Sequence, residues 1–274
     1  MENKFIVNME DNDCFSKFSK NDLEEIKKQI KESKLEYRNN VWFNGDVTIG
    51  LEIEYENVNK DLVDDYTIMN CPFWNSSYDT TLTNGGEIKA LLAGSPSNWD
   101  ELQKICLFLE EHDAVMNENA GGHIHIGSQI FEGNINYWRQ FIKMYMIYEK
   151  DLLYFLFGEM KEGRKGFYFY APPIANILYQ ELDTLNRCTS FEDIFYQVLP
   201  KDRNEAINFS NISIIDHIKR LGNTIEFRSP NATSKAIVWQ NNVNTLVKFL
   251  LSFTREEIDE EYLNYRLLNE PSTT

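Results

Sequence analysis

The sequence is poor in cysteine, poor in positive charge and without long apolar runs, and each shortage argues against a class of protein. Its four cysteines, Cys14, Cys71, Cys106 and Cys188, are widely spaced and never form a C-x-x-C pair. That speaks against a zinc knuckle and offers no disulfide framework, so the thiols are read as reduced and the setting as cytoplasmic. Lysine and arginine number 27 against 43 aspartates and glutamates, a formal net charge of −16. A field of that sign repels phosphate backbones, and no concentrated basic patch opposes it, so nucleic acid is not an expected partner. No window approaches the roughly 18 consecutive apolar residues of a membrane span. The opening MENKFIVNMEDNDCF scatters charges where a secretion signal carries an apolar segment, so neither membrane insertion nor standard secretion is expected. The phosphate loop G-x-x-x-x-G-K-[ST] and the zinc-protease signature H-E-x-x-H are also missing.

Aromatic side chains are plentiful. Eighteen Phe, 14 Tyr and 5 Trp in 274 residues, with 42% hydrophobic content, supply a sizeable core and speak against a disordered chain. Residues 17–38 mix Lys and Glu with Phe18, Leu23, Ile26, Ile30 and Leu35 at near-helical spacing, which predicts a surface helix. From residue 47 the period changes to two: Val47, Ile49, Leu51, Ile53 and Tyr55 share one side of a strand, and Thr48, Gly50, Glu52 and Glu54 the other. GGEIKALLAG (85–94) reads as a second strand, and Ser97 opens a helix whose Trp99, Leu102, Ile105, Cys106 and Leu109 face a core. GGHIHIG (121–127) reads as a third strand. The run from Trp138 to Phe157, with Phe141, Met144, Tyr145, Tyr148, Leu152 and Phe155, reads as a core helix. Glycines punctuate a basic loop over 158–166, and Pro172 and Pro173 end any strand in YFYAPP. SIIDHI (213–218) and NTIEFR (223–228) read as a hairpin-like pair, followed by an amphipathic helix over 237–251. Strands and helices are intermixed without a βαβ repeat, so the expected class is α+β: a mainly antiparallel sheet with helices on one face and chemistry on the other.

Three strands each place two ionisable side chains two residues apart, hence on one sheet face: Glu52 with Glu54, His123 with His125, Glu226 with Arg228. Half-exposed strands with a wet polar face would show the same alternation. The residue types argue for more, because Glu is depleted in strands and two of the chain's four histidines fall within three residues between glycines. Carboxylates with imidazole suit Mg²⁺ or Mn²⁺, and an adjacent Arg suits a phosphate.

These blocks, GLEIEYE (50–56), GGEIKALL (85–92), GGHIHIG (121–127) and NTIEFRSPNAT (223–233), resemble the signature blocks of the amidoligase family, within the glutamine synthetase-like carboxylate–amine ligase superfamily. The resemblance implies a glutamine synthetase-like sheet that holds two or more Mg²⁺ or Mn²⁺ ions around ATP and joins a carboxylate to an amine through an acyl phosphate. By match to the blocks it makes Glu52, Glu54, Glu87 and Glu226 metal ligands and His123 a metal or nucleotide-phosphate ligand. His125 would assist or contact substrate, and Arg228 would contact the transferring phosphoryl group. Arg164 resembles the Arg that precedes a Tyr-Ala-x-Pro stretch and would act as a catalytic residue by neutralising substrate or phosphate, and Asn208, in AINFSNI, resembles the Asn of a Leu-Asn-Leu position near the nucleotide. It divides the chain into an N-terminal extension (1–44), a catalytic domain (45–252) and a polar tail (253–274). The substrates implied are a carboxylate and an amine, small molecule, peptide or protein, and an oligomer is compatible. The chain departs from the family after Glu226, where Pro230 redirects it, and residues 56–84 carry no family pattern. A metal-dependent hydrolase, or an inactive binding protein of the same fold, remains an alternative reading of the same residues.

Overall fold

The computed structural model describes residues 47–93, 96–116, 119–131, 133–158, 163–213, 223–255 and 258–269. All of them fall in one unit that spans residues 39–274. The helix read over 17–38 and most of SIIDHI lie outside the described residues.

Six antiparallel strands form one open sheet in the order β2-β3-β1-β4-β6-β5. They are β1 (Thr48–Tyr55), β2 (Trp74–Ser77), β3 (Gly86–Ala93), β4 (Gly122–Gly127), β5 (Ile207–Asn208) and β6 (Thr224–Phe227). The alternation read in VTIGLEIEY sets the faces: Ile49, Leu51, Ile53 and Tyr55 are buried, as are Ile88, Ile124, Ile126, Ile225 and Phe227 from the other strands. Each such side chain contributes about 1.5–3 kcal/mol by leaving water. Helices cover this apolar face. Trp239 of α8 (Ala236–Arg255) lies so close over Gly122 that a Cβ there would overlap its ring. Trp99, Leu102, Ile105, Cys106 and Leu109 of α2 (Pro96–Glu111) are buried as their spacing predicts, and α2 packs on α8. The fold is α+β, with helices on the apolar face of the sheet and the ionisable side chains on the other.

The long helix α3 (Ile135–Leu156) is capped by Asn134, whose side chain accepts from the Asn136 N–H. Phe131 meets Trp138 edge-on at 4.9 Å between ring centroids and Phe141 packs on Phe253 at 6.0 Å, which ties α3 to α8. The buried stripe runs through Trp138, Phe141, Ile142, Tyr145, Met146, Glu149, Leu152, Leu153 and Leu156, whereas Phe155 is exposed. The stripe is thus turned from the one read in the sequence. Glu149 explains part of the rotation: its carboxylate accepts the N–H groups of Ile174 and Ala175 at the start of α5 (Ala175–Gln180) at 2.7 and 2.9 Å. Before it, FYFY forms the single turn α4 (Phe167–Tyr170), which ends ahead of Pro172. Two short helices, α6 (Leu182–Arg187) and α7 (Phe191–Gln197), complete this side.

Other elements fall in a stretch without readable periodicity or outside the expected catalytic domain. Helix α1 (Lys60–Asn70), capped by Asn59, and strand β2 occupy the stretch 56–84 and pack on each other. Asp64 joins them, accepting from Ser76 Oγ at 2.9 Å. The polar segment after residue 253 contains α9 (Glu260–Asn269), which buries Leu263 and Leu267 and packs on α3. Cys71, Cys106 and Cys188 are free buried thiols. Among the described residues no helix is long and apolar enough to cross a membrane.

Candidate active site

Strand register assembles the site. Glu52 stands opposite Lys89 on one side and His123 on the other, Glu54 opposite Glu87, and His125 between Gly50 and Glu226. Asn208 of β5 stands opposite Glu226. The paired residues read two apart therefore converge on the face opposite the apolar one.

The contacts are short. Glu52 Oε2 lies 2.7 Å from His123 Nδ1, and Glu52 Oε1 lies 3.3 Å from His125 Nε2. His123 Nε2 is 3.5 Å from Glu54 Oε1, and its Nδ1 is 3.6 Å from Glu226 Oε1. Glu226 accepts from Arg228 Nη1 at 2.6 Å, Asn208 Nδ2 at 2.6 Å and Asn211 Nδ2 at 3.0 Å. Glu54 accepts from the Gly121 N–H, and Glu87 from Ser77 Oγ at 3.0 Å. His125 Nδ1 pairs with Thr224 Oγ1 at 3.0 Å. Burial alone would push the Glu52 carboxyl up, but the bonds from His123 and His125 and the charge of both rings outweigh it and hold it well below the usual carboxylate range. Burial also works against the Lys89 ammonium, yet the bond it donates to Glu87 and the charges of Glu52 and Glu87 raise its pKa.

Glycine makes room for this crowding. A Cβ on Gly50 would come within 2.9 Å of the His125 Cβ, so only glycine leaves the ring its place. A Cβ on Gly121 would come within 2.7 Å of the Arg164 guanidinium. Arg164 is buried beside Glu54, and its Nη atoms donate to the carbonyls of Arg228 and Pro230 at 3.2–3.3 Å. Its backbone N–H donates to Asn231 Oδ1. Burial lowers its guanidinium's pKa. Arg164 thus reaches the rim of the site but spends its hydrogens on backbone. Pro230 is the redirecting residue the sequence pointed to, and its carbonyl accepts from the Gly122 N–H at 2.8 Å as well.

The donor set fits a hard divalent cation. Glu52, His125 and Glu226 each offer one atom, and these atoms lie within 4.8 Å of one another. His125 Nε2 is buried and turned to Glu52 Oε1 at 3.3 Å, an approach that suits two ligands of one cation. Two carboxylate oxygens with one imidazole match Mg²⁺ or Mn²⁺. This trio takes in His125, expected to assist or to touch substrate, whereas His123 sits between Glu52, Glu54 and Glu226. Glu54 and Glu87 flank the trio.

Several lining residues escaped the sequence reading. A cavity of about 320 Å³ opens on this face, lined by Gly50, Leu51, Glu52, Asn75, Lys89, Ala90, His125, Asn211 and Thr224. Lys89 could have been found, since it follows Glu87 by two residues and shares its face. Asn75 could not, because its strand carried no readable alternation.

No curated protein matches the chain. The model of the family described as "Putative amidoligase enzyme" matches residues 93–250, which carry β4, β5, β6, helices α2 to α7 and most of α8, while β1, β2 and most of β3 precede the match. Over this span, more than half its length, the chain belongs to that amidoligase family.

Proposed function

We propose that this protein is an ATP-dependent carboxylate–amine ligase, built on a glutamine synthetase-like sheet and working in the cytoplasm. The observation that supports it most is the convergence of Glu52, His125 and Glu226 with Arg228 on one open sheet face in a member of an amidoligase family. Glu52, His125 and Glu226 would hold Mg²⁺ or Mn²⁺, with Glu54 and Glu87 as further carboxylates. When bound, such ions shield the triphosphate's charge and polarise its phosphoryl oxygens.

The chain's own groups would do the rest. A substrate carboxylate oxygen attacks the γ-phosphorus of ATP, the bond to the β-phosphate oxygen breaks, and its electron pair leaves with ADP. Arg228 would meet the charge on the transferring phosphoryl group: its Nη1 is fixed by Glu226, and its buried Nε has no hydrogen-bond partner. Asn208 and Asn211 hold Glu226 in place. Arg164 fixes the backbone on which Arg228 is carried. His123, bonded to Glu52, would orient that carboxylate. An uncharged amine then attacks the acyl carbon, the C–O bond to phosphate breaks with its electron pair leaving on phosphate, and the nitrogen gives up a proton to solvent, leaving an amide, whether peptide or isopeptide.

The test is thermal stabilisation by Mg²⁺ and a non-hydrolysable ATP analogue, alone and together, in the wild type and in a Glu52→Ala/Glu54→Ala variant. The reading expects a shift that needs both ligands and disappears in the variant. Absence of any nucleotide-dependent shift would overturn it, and metal-dependent cleavage without nucleotide would mark a hydrolase instead.

A further inference from the structure

The cations of this face stand at its two ends. Arg228 lies on the β6 side, bonded to Glu226, and does not line the cavity; Lys89 lies on the β3 side and does. Between them are Glu52, His125 and Glu226. A reaction that brings a triphosphate and a carboxylate together on an acidic face needs positive charge for each anion, and a single cation cannot serve both ends.

Lys89 has hydrogens to give. Its Nζ is 2.6 Å from Glu87 Oε1, while Glu52 Oε1 at 3.7 Å is beyond hydrogen-bond reach, so at least one of three N–H donors is free. Its side chain is 43% exposed, enough for a ligand to reach it. The cavity around it mixes polar groups with the apolar Leu51 and Ala90: Asn75 stands beside Lys89 on β2, and Thr224 and Asn211 also line it. At about 320 Å³ it lies at the small end of ligand pockets.

We propose that this cavity is the subsite for the carboxylate substrate, a free carboxylate carried on a body of amino-acid to dipeptide size, and that Lys89 is the cation that receives it. The proposal rests on the ligase reading and adds to it the location and size class of one substrate. It places the acid beside Glu52, across the metal donors from Arg228, so that the triphosphate enters from the β6 side.

Mn²⁺ provides a test without knowledge of the true substrate, because an ion held by Glu52, His125 and Glu226 relaxes the protons of any molecule in the neighbouring cavity. The probes are acetate, glycine, succinate and L-glutamate, each against its uncharged amide, with Mn²⁺-loaded wild type, Lys89→Gln, Lys89→Arg and Glu52→Gln proteins observed by proton relaxation. At least one acid is expected to be relaxed more than its amide. Lys89→Gln should weaken that acid about tenfold, equal to about 1.4 kcal/mol, with Mn²⁺ still bound, and Lys89→Arg should retain it. Mn²⁺ bound through Glu52 but an acid indifferent to Lys89→Gln, or no acid relaxed at all, overturns this inference alone. Mn²⁺ bound equally by wild type and Glu52→Gln overturns the metal site beneath it.

Discussion

Gly50 and His125 face each other on neighbouring strands, with room between them for a hydrogen but not for a methyl group. Gly50→Ala must therefore push the His125 ring out of line with Glu52 and Glu226. We expect a stability loss of about 1–3 kcal/mol from overpacking and a clear weakening of Mn²⁺ binding, read by denaturant unfolding and metal titration. Unchanged Mn²⁺ affinity would remove His125 from the ligand set.

Arg164 and Arg228 should separate by their effects. Arg164 is buried and donates to two carbonyls, so Arg164→Ala should cost about 2–4 kcal/mol by leaving buried acceptors unpaired. Removing Arg228 leaves Glu226 held by Asn208 and Asn211. Arg228→Ala should lower turnover by about a hundredfold or more while the thermal midpoint moves by only a few degrees. Equal destabilisation in both variants would refute the division.

Glu54 tests the charge of the face. Glutamine at this position can still accept the Gly121 N–H but removes one negative charge from a cluster of carboxylates. Glu54→Gln is expected to abolish ATP turnover and to leave the metal-free thermal midpoint unchanged or higher. A fully active variant would show that the charge is not used.

Glu205 should report on pH. Burial, with the charges of Asp202 and Glu149, pushes its carboxyl up to about 7, and its Oε2 has no hydrogen-bond partner. A raised folded pKa on an acid means that ionisation opposes folding. The penalty is absent below the unfolded value of about 4.3, grows as pH rises, and is complete above about 7. Glu205→Gln should therefore stabilise the protein by about 1–3 kcal/mol at pH 8 and have little effect near pH 4. Urea unfolding at the two pH values checks the sign.

The chemical face was legible because it rests on a period of two. Glu52, Glu54, His123, His125, Glu226 and Arg228 had to share a side once their strands were recognised, and strand pairing brought them within bonding distance. Side chains that act through tertiary contacts were not legible. The buried carboxylate of Glu149 sits on an apolar stripe for the sake of N–H groups on another helix, which no periodicity reveals. Strand β2 is only four residues long and β5 two, too short for alternation to show, so Asn75 stayed hidden and Asn208 was reached only through resemblance. The choice between His123 and His125 as cation ligand also depends on distance, since both share one strand face and only geometry groups a His125 nitrogen with oxygens of Glu52 and Glu226 within 4.8 Å.

The order in which strands enter the sheet bears on how the protein matures. Glu52 meets His123 at a separation of 71 positions along the chain, and His125 meets Thr224 at one of 99. Contacts so distant along the chain form late, because loop closure must precede any reward from pairing. During synthesis β1, β2 and β3 emerge first and bring Glu52, Glu54 and Glu87 together without Glu226, which waits for β6, the last strand of the sheet along the chain. A growing chain therefore carries an acidic hairpin long before it carries the full donor set, and any cation selected by three-fold ligation can recognise only the finished fold.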